Sequence, residues 1–274
     1  MAGATGRMGR EVLQAVRAEP DLALVGAVAR RFSGPAGPRE LPLEGELNAA
    51  GVPTFPDVAA CLRRVRPDVL VEFTSAAIAP DILRACVEAR VHVVSGTTGM
   101  DPAVLKEIGA AAEARDLGAV VVPNFSLGAT VLSLLVRTAA PYFKTAEIIE
   151  LHHDKKRDAP SGTALALART VGQALARPAR PEDGPHPVDE DQPSRGLAVH
   201  GIPVHSVRLE GLVAHHEVIF ASTGETLSLR HDSTSRACFM PGVLLAVRNV
   251  RRCKGLVTSL ERLLEIARPD PTGL

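Results

Sequence analysis

Tryptophan is absent from this sequence, and tyrosine occurs once, at Tyr142. Aromatics make up 3% of its 274 residues, so the core has to come from aliphatic side chains and Ala-rich helices. Neither sign of charge is in excess: Lys+Arg and Asp+Glu both number 31. That balance excludes the strongly basic surface by which proteins hold nucleic acid or an anionic membrane. No apolar run is long enough to span a bilayer, and no charged-then-apolar leader is recognised. The four cysteines, Cys61, Cys86, Cys238 and Cys253, are far apart and lack C-x-x-C spacing. They read as free thiols of a cytoplasmic protein, not as a disulfide framework or a zinc site. Internal repeats and low-complexity tails are missing too. What is there is 46% hydrophobic residues, enough for one large domain or two smaller ones.

The first half alternates strand and helix. Gly3-Ala4-Thr5-Gly6-Arg7-Met8-Gly9 is a G-x-x-G-x-x-G turn running into a helix over Arg7–Ala18, with Val12, Leu13 and Val16 on one face. Glycines let a backbone approach a pyrophosphate, and the helix N-terminus stabilises its charge. Leu22–Val28 follows as a β-rich run. A dinucleotide fold also needs a strand before the first glycine, and only Met1 and Ala2 precede Gly3, so that strand is missing from this chain. After the second strand stand Ala29-Arg30-Arg31. A carboxylate there would bind the ribose of NADH, whereas arginines suit the 2′-phosphate of NADPH. The Gly- and Pro-rich stretch 29–52 reads as a mobile flap over the cofactor. Further on come a helix over Asp57–Arg64, a strand over Val69–Phe73, a helix to Ala89, a strand over Val91–Val94, a helix over Asp101–Arg115 and a strand over Ala119–Val122. Ser95-Gly96-Thr97-Thr98-Gly99 and Pro123-Asn124-Phe125-Ser126 end two of these strands at the carboxyl edge, where open α/β sheets bind ligands. The pattern predicts a Rossmann-like, doubly wound parallel sheet.

The second half differs. Leu127–Ala140 has helical length and links two domains. Glu147–Leu151 is a strand, and it leads into a loop holding His152, His153, Asp154, Lys155, Lys156, Arg157 and Asp158. Ser161-Gly162-Thr163 then caps a helix reaching about Leu175. Alone, such a loop could be a solvated turn. A helix N-terminus with two hydroxyls beside a lysine and two imidazoles instead suits an acidic substrate that receives a proton. Pro178–Arg195 is a polar excursion. Strands are expected over Val204–Leu209, Leu212–Phe220 and Thr226–Arg230, with a hairpin at Ser222-Thr223-Gly224-Glu225. Together with Glu147–Leu151 they make a mixed or antiparallel sheet in an α+β domain. Met240-Pro241-Gly242 starts a helix through Val250, and the tail Leu256–Ile266 has helical spacing. His205, His215, His216 and Glu217 do not make a metal site, because neighbours on a strand point to opposite faces and no H-E-x-x-H occurs. They are expected at an interface. The His152-His153 pair, with cationic neighbours, is not a metal site either.

The run E-I-x-E-x-H-x-x-x-K-x-D-x-P-S-G-T-A, Glu147–Ala164 here, resembles the signature of the dihydrodipicolinate reductase (4-hydroxy-tetrahydrodipicolinate reductase) family. G-T-T-G, P-N-F-S, G-I-P-V-H-S-V-R, G-L-V-A-H-H-E-V-I-F and F-M-P-G-V also look like this family, so the resemblance covers nearly the whole chain. It implies an NAD(P)H-dependent reduction of a cyclic imine dicarboxylate in the diaminopimelate route to lysine. It implies a cofactor domain over 1–125 and 241–274, and a substrate-binding and oligomerisation domain over 126–240. Cofactor contacts fall on Gly3, Ala4, Thr5, Gly6, Arg7, Met8, Arg30, Arg31, Gly96, Thr97, Thr98, Val122, Pro123, Asn124 and Phe125. The substrate's carboxylates fall to His153, Lys156, Ser161, Gly162, Thr163 and Thr98. His152 is the implied acid and Lys156 stabilises the developing negative charge, while Glu150, Asp154 and Asp158 orient them. A homotetramer built through the second sheet is implied as well. Two other readings compete. A semialdehyde dehydrogenase would want a nucleophilic Cys near the nicotinamide, and none falls on these turns. A cofactor-binding sensor would not need His152, Lys156 and S-G-T.

Arg30 decides cofactor choice on this reading. A charge-assisted contact contributes about 1.5–3 kcal/mol, so Arg30→Glu should weaken NADPH on the order of tenfold or more and spare NADH. The check is the ratio of kcat/KM for the two cofactors; an unchanged ratio would remove Arg30 from the site.

Overall fold

The computed structural model describes residues 1–29, 52–175 and 193–267. Arg30, Arg31, nearly all of the expected flap and the stretch 178–192 lie outside the described residues. Two compact units form, one from Met1–Leu127 with the chain from Phe239 on, the other from Gly128–Cys238.

The first unit opens with α1 (Arg7–Ala18), β1 (Ala27–Val28), β2 (Thr54–Phe55), α2 (Val58–Val65), β3 (Val69–Glu72), α3 (Ala79–Glu88), β4 (His92–Ser95), α4 (Pro102–Glu113) and β5 (Gly118–Val121). Helix α5 (Leu127–Ala139) leads into the second unit, which holds β6 (Thr145–His152), α6 (Gly162–Ala174), β7 (Leu197–Val199), β8 (Ile202–Arg208), β9 (Ala214–Ser222) and β10 (Glu225–Ser233). The chain returns to the first unit through α7 (Met240–Asn249), β11 (Gly255–Val257) and α8 (Leu260–Ala267). Caps set the helix starts where the sequence placed them. Asp57 accepts from Ala60 N at 2.7 Å and Asp101 from Ala103 N at 2.8 Å, each contributing roughly 1 kcal/mol.

In the first unit β11-β5-β4-β3 form a parallel sheet, and β1-β2 a parallel pair. Ala2 joins them with single parallel bridges to Val28 and Glu72. The order is therefore β2-β1-Ala2-β3-β4-β5-β11, and the direction of progression reverses at Ala2. Val12, Leu13, Val243 and Leu263 pack on one face, Leu62, Leu83 and Ile108 on the other. Strands buried on both faces read as continuous apolar runs, as Val93-Val94 and Ala119-Val120 do.

Some expectations need correction. The tail 256–266 is not one helix. Gly255 N–H donates to Leu117 O at 2.8 Å, and Gly255–Val257 takes the free edge of β5, so the helix starts at Leu260. An unpaired strand edge overrode a helical period. Of the run Leu22–Val28, only Ala27–Val28 is a strand. Beside it lies a groove of about 330 Å³ between Leu22, Leu24 and Gly26 on one side and Val69 and Val71 on the other. Met1 closes its end, with its buried ammonium donating to Gly26 O at 2.9 Å. The short strand β7 had no sequence signal strong enough to mark it.

The second sheet runs β10-β9-β6-β8-β7 and is mixed: only β6 and β8 are parallel. The β9–β10 hairpin closes at the Ser222↔Glu225 pair, with Gly224 at φ 85° in its turn. Along β6, Ala146, Ile148, Glu150 and His152 face inward. Helices α5 and α6 cover that face, where Leu132, Val136, Leu167 and Val171 meet Ile148, Val218 and Phe220. The inner face of β6 thus starts apolar and ends in a carboxyl and an imidazole.

The groove lies beside Met1, next to Ala2, which bridges Val28 on one side and Glu72 on the other. An extended apolar segment of about six residues joined ahead of Met1 should pair along Val69–Val71 and replace the buried ammonium with an amide. The melting temperature should rise by about 2–4 °C for each kcal/mol gained. Equal melting temperatures with and without the segment would show that the groove takes no strand.

Candidate active site

The Gly3–Gly6 turn sits at the carboxyl end of the parallel sheet, where strand order reverses. Open α/β sheets bind nucleotides at that point. Gly3 has φ +79°, and a Cβ there would lie 2.3 Å from the Phe73 carbonyl oxygen, so only glycine fits. Gly6 is the N-cap of α1 and makes no side-chain cap, which leaves the first turn of the helix open to an anion. A cleft of about 610 Å³ opens beside the turn, lined by Gly3, Thr5, Phe73, Thr74 and Ile78 among others. Arg7 is exposed and Met8 half-buried at this end of α1. The side chains of Ala4, Val122 and Phe125 belong to the core, so these residues offer a ligand only their backbone. Pro123 is exposed, and Asn124 Oδ1 accepts from Ser126 N at 2.9 Å.

A residue that sequence reasoning missed holds these turns together. Glu72 ends β3 fully buried and accepts from Thr74 N at 2.5 Å, the Thr74 hydroxyl, Thr97 Oγ1 at 2.8 Å and Ser95 Oγ at 2.5 Å. Thr97 Oγ1 also accepts from Thr74 N at 3.0 Å. Thr97 is therefore committed to the scaffold, while Gly96 is half-buried and Thr98 exposed. The one available signal was a carboxylate in the otherwise apolar strand Val69-Leu70-Val71-Glu72.

In the second unit, Glu150 is again fully buried. Its carboxyl meets Nδ1 of His152, accepts from Arg208 at 2.7 Å and accepts from Ser161 N at 3.3 Å. Ser161 is the N-cap of α6: its hydroxyl accepts from Ala164 N at 3.2 Å and pairs with His216 Nε2 at 3.1 Å. Both polar groups expected to serve a ligand are thus already used within the protein. Gly162 is exposed, and a Cβ added to it would meet nothing within 4 Å. Thr163, His153 and Lys156 are half-buried nearby, and Lys156 Nζ donates to Asp158 at 2.8 Å. Asp154 is exposed.

His216 corrects an expectation. It faces inward to Ser161, while His205 and His215, on the other face, pair with Glu147 at 2.8 Å and Asp232 at 2.6 Å. Glu217 pairs with Arg230 at 3.3 Å. Burial lowers the pKa of His152; the Glu150 charge and hydrogen bond oppose this, and Lys156 and Arg208 add to it. Burial pushes His216 down to about 4, so it is neutral at physiological pH. Glu150, His152 and His216 bring three possible metal-ligand atoms within 4.8 Å of one another. Glu150 is already bonded to Arg208 and Ser161, and two cations flank the ring, which disfavours a further cation there.

Residues 1–125 match the family described as "Dihydrodipicolinate reductase, N-terminus", and residues 128–264 match "Dihydrodipicolinate reductase, C-terminus". The chain belongs to the dihydrodipicolinate reductase family. A 4-hydroxy-tetrahydrodipicolinate reductase from Moorella thermoacetica is 47% identical over 265 residues, covering 97% of each chain. One from Dehalococcoides mccartyi is 42% identical, covering 96% of this chain and 97% of its own. A dipicolinate-bound dihydrodipicolinate reductase from Paenisporosarcina sp. TG-14 superposes with a TM-score of 0.81 at 34% identity, covering 95% of this chain and 97% of that one. The loop that carries the family signature is built around one buried carboxyl, Glu150.

Glu72 offers a test of the scaffold in the first unit. Hydrogen bonds to a charged group contribute about 1.5–3 kcal/mol each. Glu72→Gln turns one acceptor oxygen into a donor facing hydroxyls. It should lower the melting temperature by several degrees and weaken cofactor binding, read by calorimetry. A variant with unchanged stability and affinity would show that the turns hold without it.

Proposed function

We propose that the chain reduces 4-hydroxy-tetrahydrodipicolinate (dihydrodipicolinate) to tetrahydrodipicolinate with NAD(P)H, in the diaminopimelate route to lysine. The observation that carries this reading is a carboxyl-bound imidazole, Glu150–His152, at the end of β6, followed by Lys156 and by the exposed Gly162 at the first turn of α6. Family membership and the dipicolinate bound to a relative support it.

The first unit suits a dinucleotide: the glycine turn, the uncapped α1 and the cleft fit a pyrophosphate and a nucleoside. The bound cofactor supplies a hydride. Everything else falls to side chains of this protein. The substrate's carboxylates accept from Lys156, His153, Thr163 and the backbone N–H groups of Gly162 and Thr163. Gly162 has open space where a Cβ would stand, which lets a carboxylate approach the first turn of α6 closely. Ser161 contributes by seating that turn. Reduction leaves electron density on the ring, and His152 delivers the proton that quenches it. Burial makes its imidazolium a stronger acid than a free histidine. Lys156 stabilises the negative charge as it develops.

Arg30 and Arg31 favour NADPH over NADH. The face of the second sheet opposite α5 and α6 carries half-buried Ile149, Leu151, Val207 and Ile219 among paired charges. That face suits packing against other copies in a homotetramer. No helix among the described residues is long and apolar enough to cross a membrane, and the cysteines are free thiols, in keeping with a cytoplasmic enzyme.

The deciding experiment offers the product of the preceding synthase with NADPH and then NADH. Turnover is expected with NADPH preferred. His152→Gln should lower kcat by about a hundredfold or more with cofactor affinity nearly unchanged, the scale of a positioned acid. A variant that kept its turnover would remove His152 from the role.

A further inference from the structure

Two charged side chains, Glu150 and Arg208, stand beside His152, and Glu150 also accepts from the Ser161 N–H at the N-cap of α6. Glu150 lies two residues before His152 on the same face of β6, and Arg208 lies on the neighbouring strand β8, directly opposite His152 in register. Glu150 meets His152 Nδ1; Arg208 donates to Glu150 at 2.7 Å and to the Asp158 carbonyl oxygen at 2.6 Å. We propose that Glu150 and Arg208 are positioning residues of opposite sign: together they fix which ring nitrogen of His152 keeps its proton and how tightly the other holds one. The proposal rests on His152 being the acid, and extends to two residues that touch no substrate.

An ionised carboxylate only accepts hydrogen bonds. Nδ1 of His152 must therefore carry a hydrogen when it meets Glu150, and Nε2 becomes the atom that gains and releases a proton. Burial alone would raise the Glu150 carboxyl. Hydrogen bonds from Arg208 and Ser206, with the charges of His152 and Arg208, outweigh burial and hold it below the usual carboxylate range. Arg208 thus has two effects. It keeps Glu150 ionised, and its own charge disfavours the imidazolium. The other groups facing the ring are Lys156 from the loop, which also disfavours the imidazolium, and His216 from β9. The His216 ring stands edge-on with centroids 5.3 Å apart, neutral at working pH, its Nε2 engaged with Ser161. The ring of His152 is accordingly poised between one anion and two cations.

Removing the anion and removing one cation should move the ring in opposite directions. Glu150→Gln destabilises the imidazolium and releases the tautomer. Arg208→Gln stabilises the imidazolium, because the glutamine amide can still donate to Glu150, which Ser206 and His152 also hold down, while the cation is gone. The imidazolium is the donating form, so turnover is present below its pKa and lost as pH rises through it. In Glu150→Gln the falling limb of kcat should move to lower pH, so that the loss relative to wild type grows as pH rises through the two midpoints and levels off above them. In Arg208→Gln it should move to higher pH. A purely structural role would lower kcat by the same factor at every pH.

The test is a titration of histidine-labelled protein by long-range ¹H–¹⁵N spectra without substrate, alongside kcat profiles. The wild type should show His152 protonated at Nδ1 when neutral; Glu150→Gln should lose that preference and titrate lower; Arg208→Gln should titrate higher. An unchanged tautomer in Glu150→Gln, or midpoints moving the same way in both variants, overturns the proposal. Should Glu150→Gln fail to fold, Arg208→Gln decides alone: a midpoint that stays or falls overturns it. If the ring titrates as stated and kcat does not follow, Glu150 and Arg208 still set the ring's protonation, and the assignment of His152 as the acid falls.

Discussion

A carboxyl taken out of water has to have its oxygens hydrogen-bonded, or the region around it does not fold. Among the described residues two are buried completely, Glu72 and Glu150, one in each unit. Each meets the requirement with donors from segments distant in sequence. Glu72 draws in the loop after its own strand and the one after β4, through Ser95 and Thr97. Glu150 draws in β8 through Arg208 and α6 through the Ser161 N–H. Both stand near the end of a strand, on its buried face. Both recruit the segments whose remaining, uncommitted groups face outward: Thr98 in one case, Gly162 and Thr163 in the other. The demand of one buried group for donors is what arranges the others.

Register makes this possible in the second unit. A slip of β6 by one residue would turn Glu150 and His152 outward and bring Leu151 and His153 in. That slip is opposed on both sides, because β6 is paired along its length with β9 and with β8 over Ile148–His152. It is opposed most by Ala146 and Ile148, which lock into the core under α5 and α6. The apolar half of the strand thus holds the polar half in place. The core ends where the chemistry starts, and the same alternation serves both.

Much of this architecture was legible because it is locally encoded. The glycine turn, the cap at Ser161, the helix starts at Asp57 and Asp101, and the apolar parallel strands each carry their signal within a few residues. The signature Glu147–Ala164 carried the family, which the match over residues 128–264 bears out. What was not legible depends on distant partners. The tail looked helical until the free edge of β5 claimed Gly255–Val257. Leu22–Gly26 had strand composition but faces a groove on one side, not a strand. Ser161 looked like a donor to a ligand, and its neighbours Glu150 and His216 take up both its groups. Arg208 and His216 were invisible as site residues because their roles come from pairing across β8, β6 and β9, which composition cannot show.

The same pairing explains why two imidazoles in contact do different things. His152 and His216 are both buried, and burial lowers both. Glu150 acts on each, but the geometry differs. His216 lies directly across the β6–β9 ladder from Glu150, and it turns its Nε2 to the Ser161 hydroxyl. It therefore feels the carboxylate only at a distance, and burial prevails, holding it neutral. His152 lies two residues along the same strand and meets the carboxyl directly through Nδ1. Its imidazolium gains a hydrogen bond to an anion that His216 does not have. One ring stays neutral and pairs with the Ser161 hydroxyl that caps α6, and the other keeps a proton it can give. The division of labour follows from which side of one carboxyl each ring occupies, and the strand register alone determines that.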